Sequence, residues 1–218
     1  MMDTSLPRDG IASYIQRLVS MHLPDGYEGS ELLRIGLDKT LDRLEYCFSR
    51  IERKYYKQGG KLKFDHMNAD HMAAFLYFLG NTIWQETGDT ELPTRLSYLN
   101  KIMHGMDLFY SVRMPEIFML VHPVGTVLGN ADYGNYLVVY QNCTVGAVTN
   151  AYPRFGTGTI LYSRSSVLGN CNIGDNVVFA ANAMIVDTDI PADTLVLGQH
   201  PSCRCVPNKK TVSQRCFN

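Results

Sequence analysis

Leu120-Val-His-Pro-Val-Gly-Thr-Val-Leu-Gly129 decides the fold, through what recurs after it. Apolar residues return every six positions: Val127, Tyr133, Val139 and Val145 make one set, and Phe155, Leu161, Val167, Ile173, Phe179 and Ile185 a second. Small or turn-forming residues often follow, among them Gly129, Gly134, Gly146, Gly156, Gly169, Gly174 and Ala180. A period of six matches neither the 3.6 of a helix nor, taken alone, the period of two of a half-buried strand. It matches a short strand and a turn, repeated, which is a β-helix solenoid. Three six-residue sides make a coil of about 18 residues, so the stretch from Asp107 to Gly198 holds roughly five coils. The two sets are out of phase, because Val145 and Phe155 are ten positions apart (155 − 145). The segment Ala147-Val-Thr-Asn-Ala-Tyr-Pro-Arg154 must therefore leave the regular path as a loop, and loops on rigid scaffolds are where sites are often built. Ile185–Gly198 closes the solenoid, with a turn at Ile190-Pro191.

Before Gly105 the spacing is helical. Ile11, Tyr14, Ile15, Leu18 and Val19 predict a helix from Gly10 to His22, closed by Pro24. Leu33, Leu37, Leu41, Leu44, Phe48, Ile51 and Tyr55 predict a longer one, ended by Gly59-Gly60. Asn68 is the expected N-cap of a third, which carries Met72, Phe75, Leu76, Leu79 and Ile83 and stops near Gly88. A fourth carries Leu92, Leu96, Leu99 and Met103, with Pro93 in its first turn. His66 and His71, with Asp65 and Asp70 beside them, read as a solvated loop and helix start. The expected class is α+β, with a helical domain over 1–105 for capping and oligomerisation, a β-helix over 106–200 and a tail over 201–218.

Composition narrows the function. Of 218 residues 45% are hydrophobic, enough for a packed core. The net charge of −1 argues against a nucleic-acid partner, which would need a basic stripe. No apolar run approaches the roughly 18 residues of a membrane span. The opening Met1-Met2-Asp3-Thr4-Ser5-Leu6-Pro7 lacks the cationic and apolar regions of a secretory leader. The six cysteines are scattered without zinc-site spacing, Cys203-Arg-Cys205 being the one close pair. These features point to a cytoplasmic protein with reduced thiols and no metal.

Asp107 stands fifteen positions before His122 (122 − 107), and Gly125 and Gly129 complete a His-x-x-Gly-x-x-x-Gly segment. Asn142-Cys-Thr-Val-Gly146, Val167-Leu-Gly-Asn170, Ile173-Gly174 and Val196-Leu-Gly198 with Pro201 and Arg204 continue the pattern. From about residue 95 to about residue 205 the sequence resembles the hexapeptide-repeat acyltransferases, and among them the serine acetyltransferase branch. The N-terminal helices fit it in outline. The resemblance implies a left-handed parallel β-helix and a homotrimer with acetyl-CoA lying in a groove between neighbouring solenoids. Hexamers through the helical domain are a further possibility of assembly. It also implies direct transfer of an acetyl group to a small-molecule hydroxyl, with His122 as general base and Asp107 fixing its tautomer. Gly146 and Ala147 would lie at the oxyanion, and Ala147, Ser163 and Ala181 beside the pantetheine arm. Lys209 and Lys210 would meet the 3′-phosphate.

Two departures bear on the acceptor. Val121 stands where the serine enzymes carry an aspartate, and Ala151-Tyr152-Pro153 where they carry Arg-His-Pro, in a loop two residues shorter and without its run of glycines. A zwitterionic amino acid needs charged partners. Arg154 keeps serine in play, whereas Tyr152 suits a sugar face, so sugar or nucleotide-sugar O-acetylation in surface polysaccharide synthesis is the alternative. A non-catalytic scaffold is the reading from another class. A zinc hydratase of hexapeptide fold needs three histidines per metal, and the solenoid holds only His122 and His200.

Overall fold

The computed structural model describes residues 2–217. The chain divides into two compact units. One takes in the chain up to Ser49 together with Arg53–Ser111, and the other takes in Arg50–Glu52 together with the chain from Val112.

The helical unit begins with a short strand β1 (Asp3–Thr4), then α1 (Arg8–His22) and α2 (Ser30–Ser49). β2 (Lys57–Gln58) and β3 (Lys61–Phe64) form a hairpin, followed by α3 (Ala69–Thr87), α4 (Glu91–His104) and β4 (Asp107–Leu108). The predicted apolar stripes are its core: Ile11, Ile15, Leu33, Leu41, Leu44, Phe48, Phe75, Leu92, Leu96 and Leu99 are all buried. α3 is buried on every side from His71 to Ile83, so it is the central helix of the unit.

The second helix is shorter than its apolar stripe predicts. It ends at Ser49, because Ile51 leaves the helix to pair with Phe217 and Glu52 N–H donates to the Cys216 carbonyl at 3.0 Å. Gly59-Gly60, read as a helix stop, is a hairpin turn. Both glycines have positive φ (57° and 80°), and Gln58 pairs with Lys61 across them. Two successive left-handed residues between antiparallel strands make the turn whose twist matches the strands.

Asn68 caps α3 as expected: its Oδ1 accepts from the Asp70 and His71 N–H groups at 3.0 and 3.3 Å. Asn68→Ala should cost about 1 kcal/mol of unfolding free energy, read from the urea midpoint of the helical unit. Gly88 and Gly105, with φ of 74° and 61°, close α3 and α4 in the left-handed conformation.

His71 is not solvated, as its place at a helix start suggests, but fully buried beside Phe48 and Tyr56. Its Nδ1 accepts from the Asp65 N–H at 3.2 Å, which puts the proton on Nε2. Burial holds its pKa down to about 4, and burial does the same at His104, also to about 4. An unfolded histidine titrates near ~6.5, so between these values the unfolded chain binds more protons and stability rises with pH. That stability is complete above the unfolded pKa and is lost as pH falls towards the folded one. Each histidine accounts for about 3 kcal/mol at most. Urea midpoints taken near pH 7 and near pH 4.5 should fall on acidification, and His71→Phe should flatten the slope.

The solenoid unit runs β5 (Phe118–Val121), β6 (Val127–Leu128), β7 (Leu137–Tyr140), β8 (Thr144–Gly146), β9 (Arg154–Phe155) and β10 (Thr159–Leu161). It continues through β11 (Ser166–Leu168), β12 (Asn172–Ile173), β13 (Val177–Phe179), β14 (Met184–Val186) and β15 (Thr194–Leu197). One side stacks β5, β7, β10, β13 and β15 in parallel. A second stacks β6, β8, β11 and β14, and the third β9 and β12. Five parallel strands on the first side agree with the roughly five coils expected. Val139, Val145, Leu161, Val167, Phe179 and Ile185, all members of the six-residue repeat, point inward and are fully buried. Tyr133 and Phe155 stack at 5.4 Å and 6° one coil apart.

The chain after β15 turns back as β16 (Arg204–Pro207), antiparallel to β15, and ends in a short helix α5 (Val212–Cys216). Val212 and Cys216 are buried, so the expected tail is packed structure.

Candidate active site

Three corners join the sides of each coil. The corner after the first side is a tight turn, closed by Thr126 N–H to Pro123 O (3.1 Å), Ser165 N–H to Tyr162 O and Ala183 N–H to Ala180 O (both 3.0 Å). Its third residue must adopt positive φ, and Gly125 (72°), Asn142 (58°), Arg164 (62°) and Asn182 (61°) do so in successive coils. Backbone bonds tie the column together: Asn142 N–H to Val124 O, Arg164 N–H to Gln141 O and Asn182 N–H to Ser163 O, at 2.9, 3.0 and 3.0 Å.

His122 lies just outside this column. It has its own positive φ of 49°, and its carbonyl accepts from Val124 N–H at 2.7 Å across Pro123. A non-glycine residue in this region costs about 1–3 kcal/mol, and such residues gather at functional sites. His122 is exposed at this corner. Beside it, Val121 pairs with Tyr140, and the Tyr140 and Tyr162 rings lie 5.0 Å apart, tilted by 35°.

Ser163 and Ala181 occupy the second position of this turn one coil apart, since Leu161 pairs with Phe179. They form a run of small side chains along the corner edge. Gly146 and Ala147 lie at the other end of the second side, where β8 runs into the predicted loop. A Cβ on Gly146 would meet only Leu168 Cδ2, at 3.6 Å, so this glycine is not required by packing.

The loop is a small hairpin. Val148 and Ala151 exchange backbone hydrogen bonds of 3.2 and 3.0 Å, and Thr149 and Asn150 turn the tip with φ of 49° and 63°. Tyr152 follows with 40% of its surface exposed, and buried Pro153 then returns the chain to β9. Arg154 projects from β9, its Nε 3.7 Å from Asp132 Oδ2, with both side chains largely exposed. Hairpin and coil together enclose a cavity of about 350 Å³ lined by Asn130, Asp132, Asn150, Tyr152, Arg154 and Asn170. Of these, Asn130, Asn150 and Asp132 carry no role in the sequence reading, and Asn170 enters it only as the end of the Val167-Leu-Gly-Asn170 segment. A signal was present, because Leu-Gly-Asn occurs at both 128–130 and 168–170, which are the same corner two coils apart.

The predicted residues thus fall into two clusters within the solenoid. His122, Ser163 and Ala181 share the first corner; Gly146, Ala147, Tyr152 and Arg154 share the second. One side of the coil separates them, roughly 15–20 Å of extended chain. Asp107 belongs to the helical unit, where Lys101 Nζ contacts its Oδ2 at 2.6 Å. A larger cavity of about 620 Å³ lies in the helical unit among Arg8, Asp9, Ser13, Ser30, Arg34 and Asp38, and no predicted site residue lines it. Among the described residues no cluster of His, Cys, Asp or Glu is placed to hold a metal ion, and no helix is long and apolar enough to cross a membrane.

No protein-family model matches the chain. It is 29% identical over 112 residues to the serine acetyltransferase of Synechococcus elongatus, covering 49% of this chain and 46% of the relative. The chain spans about half the length of the curated relatives it matches. A solved serine acetyltransferase in complex with cysteine superposes with a TM-score of 0.71 at 15% identity, over 95% of this chain and 83% of that one. A Brucella abortus serine acetyltransferase in complex with coenzyme A gives 0.68 at 14% identity, over 95% and 84%. In sequence the chain is serine acetyltransferase-like, and its fold is that of those structures, a helical region followed by a left-handed β-helix.

Proposed function

We propose that the chain is an acetyl-CoA-dependent O-acetyltransferase in which His122 activates the acceptor hydroxyl. The observation that carries this reading is His122 itself. It stands exposed at a solenoid corner on a strained backbone, at the position where the resemblance puts the base. The similarity to serine acetyltransferases, one of them solved with coenzyme A, supports the donor.

An alcohol is a poor nucleophile at neutral pH, and an imidazole is suited to take its proton as the bond forms. The acceptor O–H gives its proton to His122, and its oxygen attacks the thioester carbonyl carbon. When the tetrahedral adduct collapses, the C–S bond breaks and the imidazolium returns the proton to the departing thiolate. Ester and free thiol are the products. Transfer is direct, so none of the cysteines is needed as a nucleophile; Cys47, Cys143, Cys171 and Cys216 are buried.

Ser163 and Ala181 fit an extended pantetheine arm, because their small side chains leave the corner edge open. Gly146 and Ala147 fit the oxyanion and loop entry, Gly146 being free of any packing demand for glycine. Acetyl-CoA supplies the activated acyl group. Asp107, whose Oδ2 meets Lys101 Nζ within the helical unit, is the carboxylate that the resemblance assigns to orienting the base.

One side of the coil lies between His122 and the hairpin cavity. A single chain therefore does not bring its own base to an acceptor held there. A homotrimer, with one copy's His122 corner against the next copy's hairpin, removes that gap, and the helical unit offers a route to hexamers. We place the protein in the cytoplasm, with small molecules and copies of itself as partners and no nucleic acid or membrane.

The test is thiol release from acetyl-CoA with serine and with a panel of sugars and nucleotide sugars. Acceptor-dependent release supports the assignment. Failure of every acceptor, together with failure to bind acetyl-CoA, would leave a non-catalytic scaffold as the better reading.

A further inference from the structure

We infer that the acceptor is a neutral sugar, held in the hairpin cavity by Asn130, Asn150 and Asn170 with its ring against Tyr152. This rests on the acetyltransferase reading above. The cavity's chemistry is that of carboxamides. Among the described residues, none of the three asparagine side chains has a hydrogen-bond partner. Each offers two N–H donors and a carbonyl acceptor. Sugar hydroxyls both donate and accept, so a ring of carboxamides answers them without any net charge.

The charges that are present make one opposed pair without net charge, both side chains largely exposed. Arg154 Nε lies 3.7 Å from Asp132 Oδ2, and no other charged side chain lines the cavity. A free amino acid brings a carboxylate and an ammonium group at fixed separation, and it needs a cation and an anion each available to it. A sugar asks for neither. Tyr152 presents a partly exposed aromatic wall, and small sites of this kind combine one aromatic face with a few placed polar groups.

The walls are fixed before any ligand arrives. The Thr149-Asn150 turn is locked by the paired bonds of Val148 and Ala151, and buried Pro153 holds the backbone after Tyr152. Asn170 N–H is held by Asp187 Oδ1 at 2.8 Å, which sets the height of the third coil's corner. Preorganisation of this sort reduces the ordering cost of binding. The hairpin brings Asn150 to the same cavity as two corners that come from different coils, which explains why its four extra residues (22 positions from Val145 to Val167, against 18 from Val167 to Ile185) are spent there.

Saturation-transfer NMR with a panel of hexoses, nucleotide hexoses and serine tests this on the full chain, beside thiol-release kinetics. At least one sugar should bind wild type. Asn130→Ala and Asn170→Ala should each raise its KM about two- to tenfold, the value of one hydrogen bond, with the KM for acetyl-CoA unchanged. Tyr152→Phe should retain binding and Tyr152→Ala lose it, while unaltered urea midpoints would show that the variants are folded. Binding of no sugar, or turnover of serine with a KM that the two asparagine variants leave unmoved, would overturn the inference while the transferase reading stood. Sugar binding without acetyl-CoA binding or thiol release would instead remove the transferase reading and leave the cavity's preference in place.

Discussion

Replacing His122 by alanine is expected to lower acetyl transfer by about 10²–10⁴-fold, the usual worth of a positioned general base. Binding of acetyl-CoA should be unchanged, because the small side chains proposed for the cofactor, Ser163 and Ala181, lie in later coils of the corner column. The loss should therefore fall on kcat with little change in the donor's KM, the pattern for a group that acts in the transition state. The fold should survive. His122 is exposed, and its left-handed backbone is more strained as histidine or alanine than as glycine. His122→Gly should relieve that strain and raise stability slightly while remaining inactive. A residue retained for packing would show the opposite combination, full activity with altered stability.

Gly134→Ala should be among the most destabilising single-atom additions in the solenoid. A Cβ there would lie 2.3 Å from Gly156 O, 2.5 Å from Gly156 C and 2.9 Å from Phe155 O. All three are backbone atoms of the next coil, pinned by Gly156 N–H to Ile173 O and Phe155 N–H to Asp132 O, both 2.8 Å. Flexible side chains can swing aside; a hydrogen-bonded coil about 4.8 Å away cannot. The expected cost is about 3 kcal/mol or more. Gly146→Ala is the control, with no atom nearer than 3.6 Å, and should stay within about 0.5 kcal/mol of wild type. Urea midpoints of the two variants check the contrast, and equal midpoints would mean that the third side is not packed as tightly as these distances require.

Much of the solenoid is legible in the sequence because its geometry repeats. A six-residue side forces an inward apolar residue at a fixed interval, and Val145, Val167 and Ile185 fall in one parallel register. The break between Val145 and Phe155 locates the hairpin for the same reason. The helical half is less transparent. The apolar stripe of α2 continues through Ile51 and Tyr55, but Ile51 serves a strand pairing with Phe217, and Tyr55 is 65% exposed. A three-four spacing cannot tell a helix from a strand residue that happens to follow it. The acidic neighbours of His71 suggest solvent, whereas its ring packs beside Phe48 and Tyr56.

The site divides in the same way. His122 and the hairpin residues Tyr152 and Arg154 can be found from motif and phase. The asparagine cavity is only half marked: Leu-Gly-Asn at 128–130 and 168–170 flags one corner twice, but Asn150 joins it only when the solenoid is wound. The left-handed backbone of His122 has no sequence signature: a residue before proline is ordinarily extended.

The most direct test of the account follows the acyl group itself. Acetyl-labelled coenzyme A is incubated with wild type or His122→Ala and an acceptor, and the label is traced after separating small molecules from protein. Direct transfer predicts label in an alkali-labile ester of the acceptor, none on the protein, and loss of that product in His122→Ala. Label retained on a cysteine, or ester formed equally well without His122, would contradict it.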